Sequence, residues 1–136
     1  MYLVYQPEGS DEPTRWKYDP KKLMSVEREM LERRTERDFS DFTKAVQRGN
    51  SLCRRALLFM YLKRDHPGTR WEDVDFAWDE LTLEHSRQEL QLIREEVSKS
   101  MTGDQLAAAL EQLDAEIVEA HDDQEAEGKA TLPVVE

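Results

Sequence analysis

The sequence predicts a mainly α fold: a small helical domain with a short N-terminal β-hairpin, an amphipathic C-terminal helix and an acidic tail. Three observations carry this. From residue 19 onward apolar residues recur at helical spacing between capping and breaking residues. Only the first eighteen residues carry the period of strands. Charge is also split along the chain: residues 1–100 hold 18 basic and 20 acidic side chains, whereas 101–136 hold one basic and ten acidic. The 136 residues carry a formal net charge of −11 and are only 38% hydrophobic, so a single small core is expected. The expected organisation is a helical body over 1–100 with its hairpin at about 2–18, an acidic amphipathic helix over 101–122, and a disordered tail over 123–136.

Tyr2 to Tyr5 and Thr14 to Tyr18 are rich in aromatic and β-branched residues, and Pro7, Gly9, Ser10 and Asp11 between them form turns. Trp16 and Tyr18 share one face, with Arg15 and Lys17 on the other. A lone hairpin is marginal in water, so this one must pack on helix. Ser25 is the expected N-cap of a helix through about Arg34 that buries Val26, Met30 and Leu31. Asp38 or Ser40 opens the next, with Phe39, Phe42 and Val46 on one face. Gly49 stops it, and Asn50 caps its successor. Ser51 to Asp65 is the most apolar segment: Leu52, Ala56, Phe59 and Met60 form one stripe, widened by Cys53, Leu57, Tyr61 and Leu62, so it is the expected core helix.

His66-Pro67-Gly68 ends that helix. Thr69 and Glu72 have the spacing of a capping box, which predicts a helix with Val74, Trp78 and Leu81 along one side. Leu83, Leu90, Ile93 and Val97 define another amphipathic helix. Thr102 and Gln105 form a second capping-box pair, opening a helix with Leu106, Leu110, Leu113 and Ile117 in line and Glu111, Asp114, Glu116 and Glu119 elsewhere.

The composition argues against several functions. An acidic chain lacks the basic face that nucleic-acid binding needs. Cys53 is the only cysteine, so no disulfide framework is expected. No apolar run approaches the ~20 residues that span a bilayer. Tyr2 to Tyr5 ends at Pro7 and an acidic segment, unlike a secretory leader, so a cytoplasmic setting is expected. His66, His85 and His121 are far apart and Cys53 lies in an apolar run, so no metal site is expected. Asp73, Asp75, Asp79 and Glu80 could share a divalent cation or divide acid and base roles, yet acidic residues at a helix start on a solvated face are the simpler reading. No glycine loop suits a phosphate, and no serine or cysteine nucleophile has a base nearby in sequence. Neither enzyme activity nor a cofactor is expected.

Two features suit a partner. Trp16, Trp71 and Trp78 could line a ligand box, although aromatics at such spacing more often build a core. The stripe Leu106, Leu110, Leu113 and Ile117 lies on an acidic segment with few large aromatics. Such a helix either folds back on the body or docks on a partner.

Several segments, taken in order, carry a resemblance. They are Arg15-Trp16-Lys17-Tyr18, Asp38-Phe39-Ser40-Asp41-Phe42, Gly49-Asn50, Cys53 to Phe59, Lys63-Arg64-Asp65-His66-Pro67, and Trp71 to Phe76 leading to Glu80-Leu81. Over roughly residues 14–83 the chain resembles the tail assembly chaperones of long-tailed, siphovirus-type bacteriophages, particularly those infecting actinobacteria. The order and spacing of these segments carry the likeness.

The resemblance implies a protein that binds the tape measure protein, keeps it soluble, and helps recruit tail tube subunits around it. It also implies the cytoplasm of the infected host as location and absence from the finished virion; the sequence does not fix the oligomeric state, and a homo-oligomer is compatible with it. A longer product made by programmed frameshifting, through which tail tube protein is engaged, is a further implication, and Gly128-Lys129 is compatible with a GGGAAA-type slippery run. Neither nucleic acid nor membrane is an expected partner. Leu106, Leu110, Leu113 and Ile117 are the expected contact residues, with Trp71 and Trp78 as the alternative surface. The competing functional reading is an acidic phage-type inhibitor that mimics nucleic acid and blocks a DNA-binding protein. A small helical enzyme built on Asp73 to Glu80 is a third.

Overall fold

A computed structural model describes residues 1–122; the expected disordered tail, 123–136, lies outside the described residues. The fold is mainly helical with a small antiparallel sheet, as the sequence predicts. The strands are β1 (Tyr2–Tyr5), β2 (Thr14–Lys17) and β3 (Leu81–Glu84), in the order β2-β1-β3. The helices are α1 (Ser25–Thr35), α2 (Phe39–Gln47), α3 (Ser51–Asp65), α4 (Arg87–Ser100) and α5 (Gly103–Glu119). Among the described residues two compact units result, one of Leu3–Leu83 and one of Met1–Tyr2 with residues 84–122. Where the charge split suggested a boundary near residue 100, this division puts α4 with α5.

In the first unit α3 is the core. Its Cys53 and the run Ala56 to Tyr61 are all buried, and Leu31 of α1 and Phe42 and Val46 of α2 are equally inaccessible. Local chemistry sets its start. Gly49 takes φ +89, a left-handed value that costs an L side chain, and Asn50 Oδ1 accepts the Cys53 amide at 3.0 Å. The hairpin packs on helix: Trp16 stacks on Tyr61 at 5.4 Å, the Tyr61 hydroxyl donates to the Lys17 carbonyl, and the Tyr18 hydroxyl lies 2.5 Å from Thr43 Oγ1.

Several expectations are corrected. No helix follows Thr69. Two 3-10 turns, Trp71–Asp73 and Trp78–Glu80, bracket extended chain that runs into the third strand. Asp73, Val74 and Asp75 are poor helix formers, and short carboxylates compete for local backbone: Asp73 Oδ2 accepts the Arg70 amide and Asp75 Oδ1 accepts the Phe76 amide. Thr69 gives its hydroxyl to the His66 carbonyl rather than capping. Arg55 takes the Trp71 and Val74 carbonyls, which a helix would need for itself. Leu81 and Leu83 therefore belong to β3, where Gln6 donates to the Glu80 carbonyl at 2.9 Å.

Helix starts also differ. Met24 is the N-cap of α1 and Ser25 its first residue, with Glu27 reaching back to the Met24 amide. Thr102 is the N-cap of α5 but makes no side-chain cap bond, so the expected box with Gln105 does not form. A reciprocal box forms instead at α4, where Ser86 Oγ accepts the Glu89 amide and Glu89 Oε1 accepts the Ser86 amide. Val26, expected to be buried, is 71% exposed, and Leu52 is exposed as well.

Arg64 holds Glu27 through two hydrogen bonds of 2.6 and 2.7 Å. The guanidinium keeps the Glu27 carboxyl below the usual carboxylate range, with burial opposing. A depressed folded value means stability that is present above about pH 4.3 and lost as pH falls through the folded value. Glu27→Gln is therefore expected to flatten the acid limb of stability against pH. Its neutral-pH cost is below about 1 kcal/mol, because Arg64 is 42% exposed. Denaturation curves from pH 7 to 2 check this, and identical acid limbs would exclude it.

Candidate partner-binding site

The second unit centres on the hairpin of α4 and α5. Arg87 runs back along the end of α5, donating to the Ile117 and Ala120 carbonyls and to Asp122, while Arg94 pairs with Asp114 at 2.8 Å. These links set the helices antiparallel. Glu89 also binds the Met1 amino group.

The hairpin is poorly covered. Leu106, Leu110, Leu113 and Ile117 lie on α5, and all four are half-buried; α5 has no fully buried residue. On α4, Leu90 is buried, whereas Ile93 and Val97 are half-buried. Two apolar side chains face solvent outright, Leu92 at 63% and Val118 at 77% exposed. Sequence reasoning missed both. Leu92 precedes Ile93 and Val118 follows Ile117, about 100° off the stripe on a helix. The available signal was a large aliphatic residue on an otherwise polar face.

The alternative tryptophan surface divides. Trp71 is held between the Arg34 and Arg55 guanidinium groups at 4.4 and 4.2 Å, with Phe59 edge-on at 5.5 Å. Its contacts pin the 66–80 segment to α3. Trp78 is 48% exposed, stacked with Phe76 at 6.4 Å and covered on one side by Arg54. The structure does not place the two tryptophans on one helical face, because that helix does not form.

The acidic cluster loses its i, i+4 geometry for the same reason. Asp73 pairs with Arg70, and Glu80 accepts the Ala77 and Glu8 amides. Among the described residues no three His, Cys, Asp or Glu side chains could jointly hold a metal ion. Also among them, no helix is long and apolar enough to cross a membrane. His85 Nδ1 is buried without a hydrogen-bond partner. Desolvation and the N-terminal amino group push its pKa down, and Glu116 opposes them.

The chain matches no family model, no curated protein and no solved structure.

Cys53 bears on the core rather than on chemistry. It is inaccessible, and burial pushes its thiol pKa up against the influence of Arg37. Native protein is expected to react with a thiol reagent roughly 100-fold slower than urea-unfolded protein. Equal rates would place the thiol at the surface.

Proposed function

We propose that the protein is a tail assembly chaperone of a long-tailed bacteriophage, which binds and solubilises the tape measure protein and promotes tail tube assembly around it. The observation that carries this reading is the half-covered α4–α5 hairpin. A seventeen-residue helix with a four-residue apolar stripe buries none of its residues fully. Two amphipathic helices form one layer, and a layer needs a second to cover its apolar face. A long amphipathic helix laid along the hairpin would supply it.

Charge supports the same reading. The tape measure's exposed apolar stripes are aggregation hazards until covered. A carrier with ten acidic and one basic residue over 101–136 keeps such a complex soluble. Host-cytoplasmic location and a frameshifted product that engages tail tube protein belong to this proposal as consequences of the resemblance. No catalysis is assigned.

The test is co-expression of the full chain with a long helical tape measure protein, followed by affinity capture and size-exclusion chromatography. The expected result is a soluble complex that is absent when either partner is expressed alone. An insoluble tape measure protein with no complex overturns the reading. Tight, steeply salt-dependent binding to a nuclease or polymerase would transfer the protein to the acidic-inhibitor class.

A further inference from the structure

The Leu3–Leu83 unit carries a second apolar recess, separate from the hairpin. It lies between α1 and α3, lined by Val26, Glu27, Met30, Phe59, Met60, Lys63 and Arg64, with a cavity volume of about 260 Å³. Small-molecule sites usually run from about 300 to 1,000 Å³ and enclose most of the ligand. This recess is smaller and open, sized for one or two side chains of a larger partner. Val26 on its wall is 71% exposed. Met30, half-buried on α1, supplies an unbranched, polarizable side chain that adjusts to an incoming shape.

The rim is cationic. Lys63 stands over the Phe59 ring at 5.4 Å and Arg34 at 5.1 Å. The only carboxylate lining the recess, Glu27, is already bound by Arg64. Of the lining charges, Lys63 and Arg64 against that one carboxylate leave a single net positive charge, carried by Lys63. An incoming helix with lysines beside its apolar anchors would be repelled, and one with carboxylates there would be steered in.

We propose that this recess docks an amphipathic helix of a partner protein, its apolar anchors seated between α1 and α3 and its flanking carboxylates facing Lys63. All the residues that line the site belong to the Leu3–Leu83 unit.

The test titrates full-length protein with a fluorescent 18-residue helical peptide carrying a leucine stripe flanked by glutamates, and with a lysine-flanked version of the same stripe. The glutamate peptide is expected to bind, and Val26→Asp and Lys63→Glu are each expected to weaken it by about tenfold. Both positions are exposed, so the fold should survive, and circular dichroism with a melting curve checks that it does. Val118→Asp on the hairpin should leave this peptide's affinity unchanged. No binding, equal binding by the two α1/α3 variants, or preference for the lysine peptide overturns the proposal. Sedimentation of the protein alone supplies the remaining outcome: a self-associated species that Val26→Asp dissociates would give the recess to a second copy of the chain and overturn it as well.

Discussion

Phe42→Ala is expected to destabilise the protein by about 3–5 kcal/mol, the cost of emptying a large aromatic site in a packed core. Phe42 is fully inaccessible on α2, its ring stacks on Phe39 at 5.8 Å, and Val46 one turn later is equally buried. A domain of this size holds about 5–15 kcal/mol in total, so the substitution removes roughly a fifth of the margin or more. The melting temperature should fall on the order of 15 °C. Leu52→Ala on α3 is the matched control. Leu52 is exposed, and its truncation should change stability by less than about 0.5 kcal/mol. Urea denaturation of both variants decides the matter. Equal small losses would mean that the α2–α3 contact is not the centre of the core.

The reason Phe42 was legible in the sequence also explains what was not. The α2–α3 segment is specified locally: an apolar stripe of helical period, a glycine at φ +89 and an asparagine cap all lie within a few residues of one another. The 69–84 segment is specified from a distance. Its capping-box spacing is real, but Arg55 on α3 claims the Trp71 and Val74 carbonyls, and the strand at Leu81–Glu84 exists through pairing with β1 far away in sequence. A four-residue strand has too little pattern of its own to announce itself. The same limit applies to surfaces. The stripe Leu106 to Ile117 was visible as a periodicity. That it would be half-covered by α4, with Leu92 and Val118 left outside, depends on how the hairpin closes through Arg87 and Arg94. Val26 shows the reverse error, since an apolar residue at helical spacing from Met30 reads as core and lies at the open edge of a recess.

If the proposed function holds, the combined variant Leu92→Asp with Val118→Asp is expected to weaken binding to the tape measure protein by about 100-fold while leaving the hairpin folded. Each residue is an exposed aliphatic side chain, one on each helix, so a carboxylate at either position costs the free protein little. In a complex each would otherwise contribute about 1.5 kcal/mol of apolar burial, and ~3 kcal/mol together corresponds to roughly two decades in Kd. Leu110→Asp probes the same unit differently. Leu110 is half-buried on α5, so a charge there should lower the hairpin's helicity as well as its affinity. The pair of experiments separates two mechanisms. Loss of binding in both, with circular dichroism changed only for Leu110→Asp, means that a preformed hairpin docks through its outer apolar residues. Binding lost only with Leu110→Asp means that the partner helix replaces one member of the hairpin, taking over the α4–α5 seam, and the exposed residues are then bystanders. Calorimetry on the purified variants distinguishes these outcomes, because helix exchange must open the hairpin before binding and carries that cost in the measured affinity.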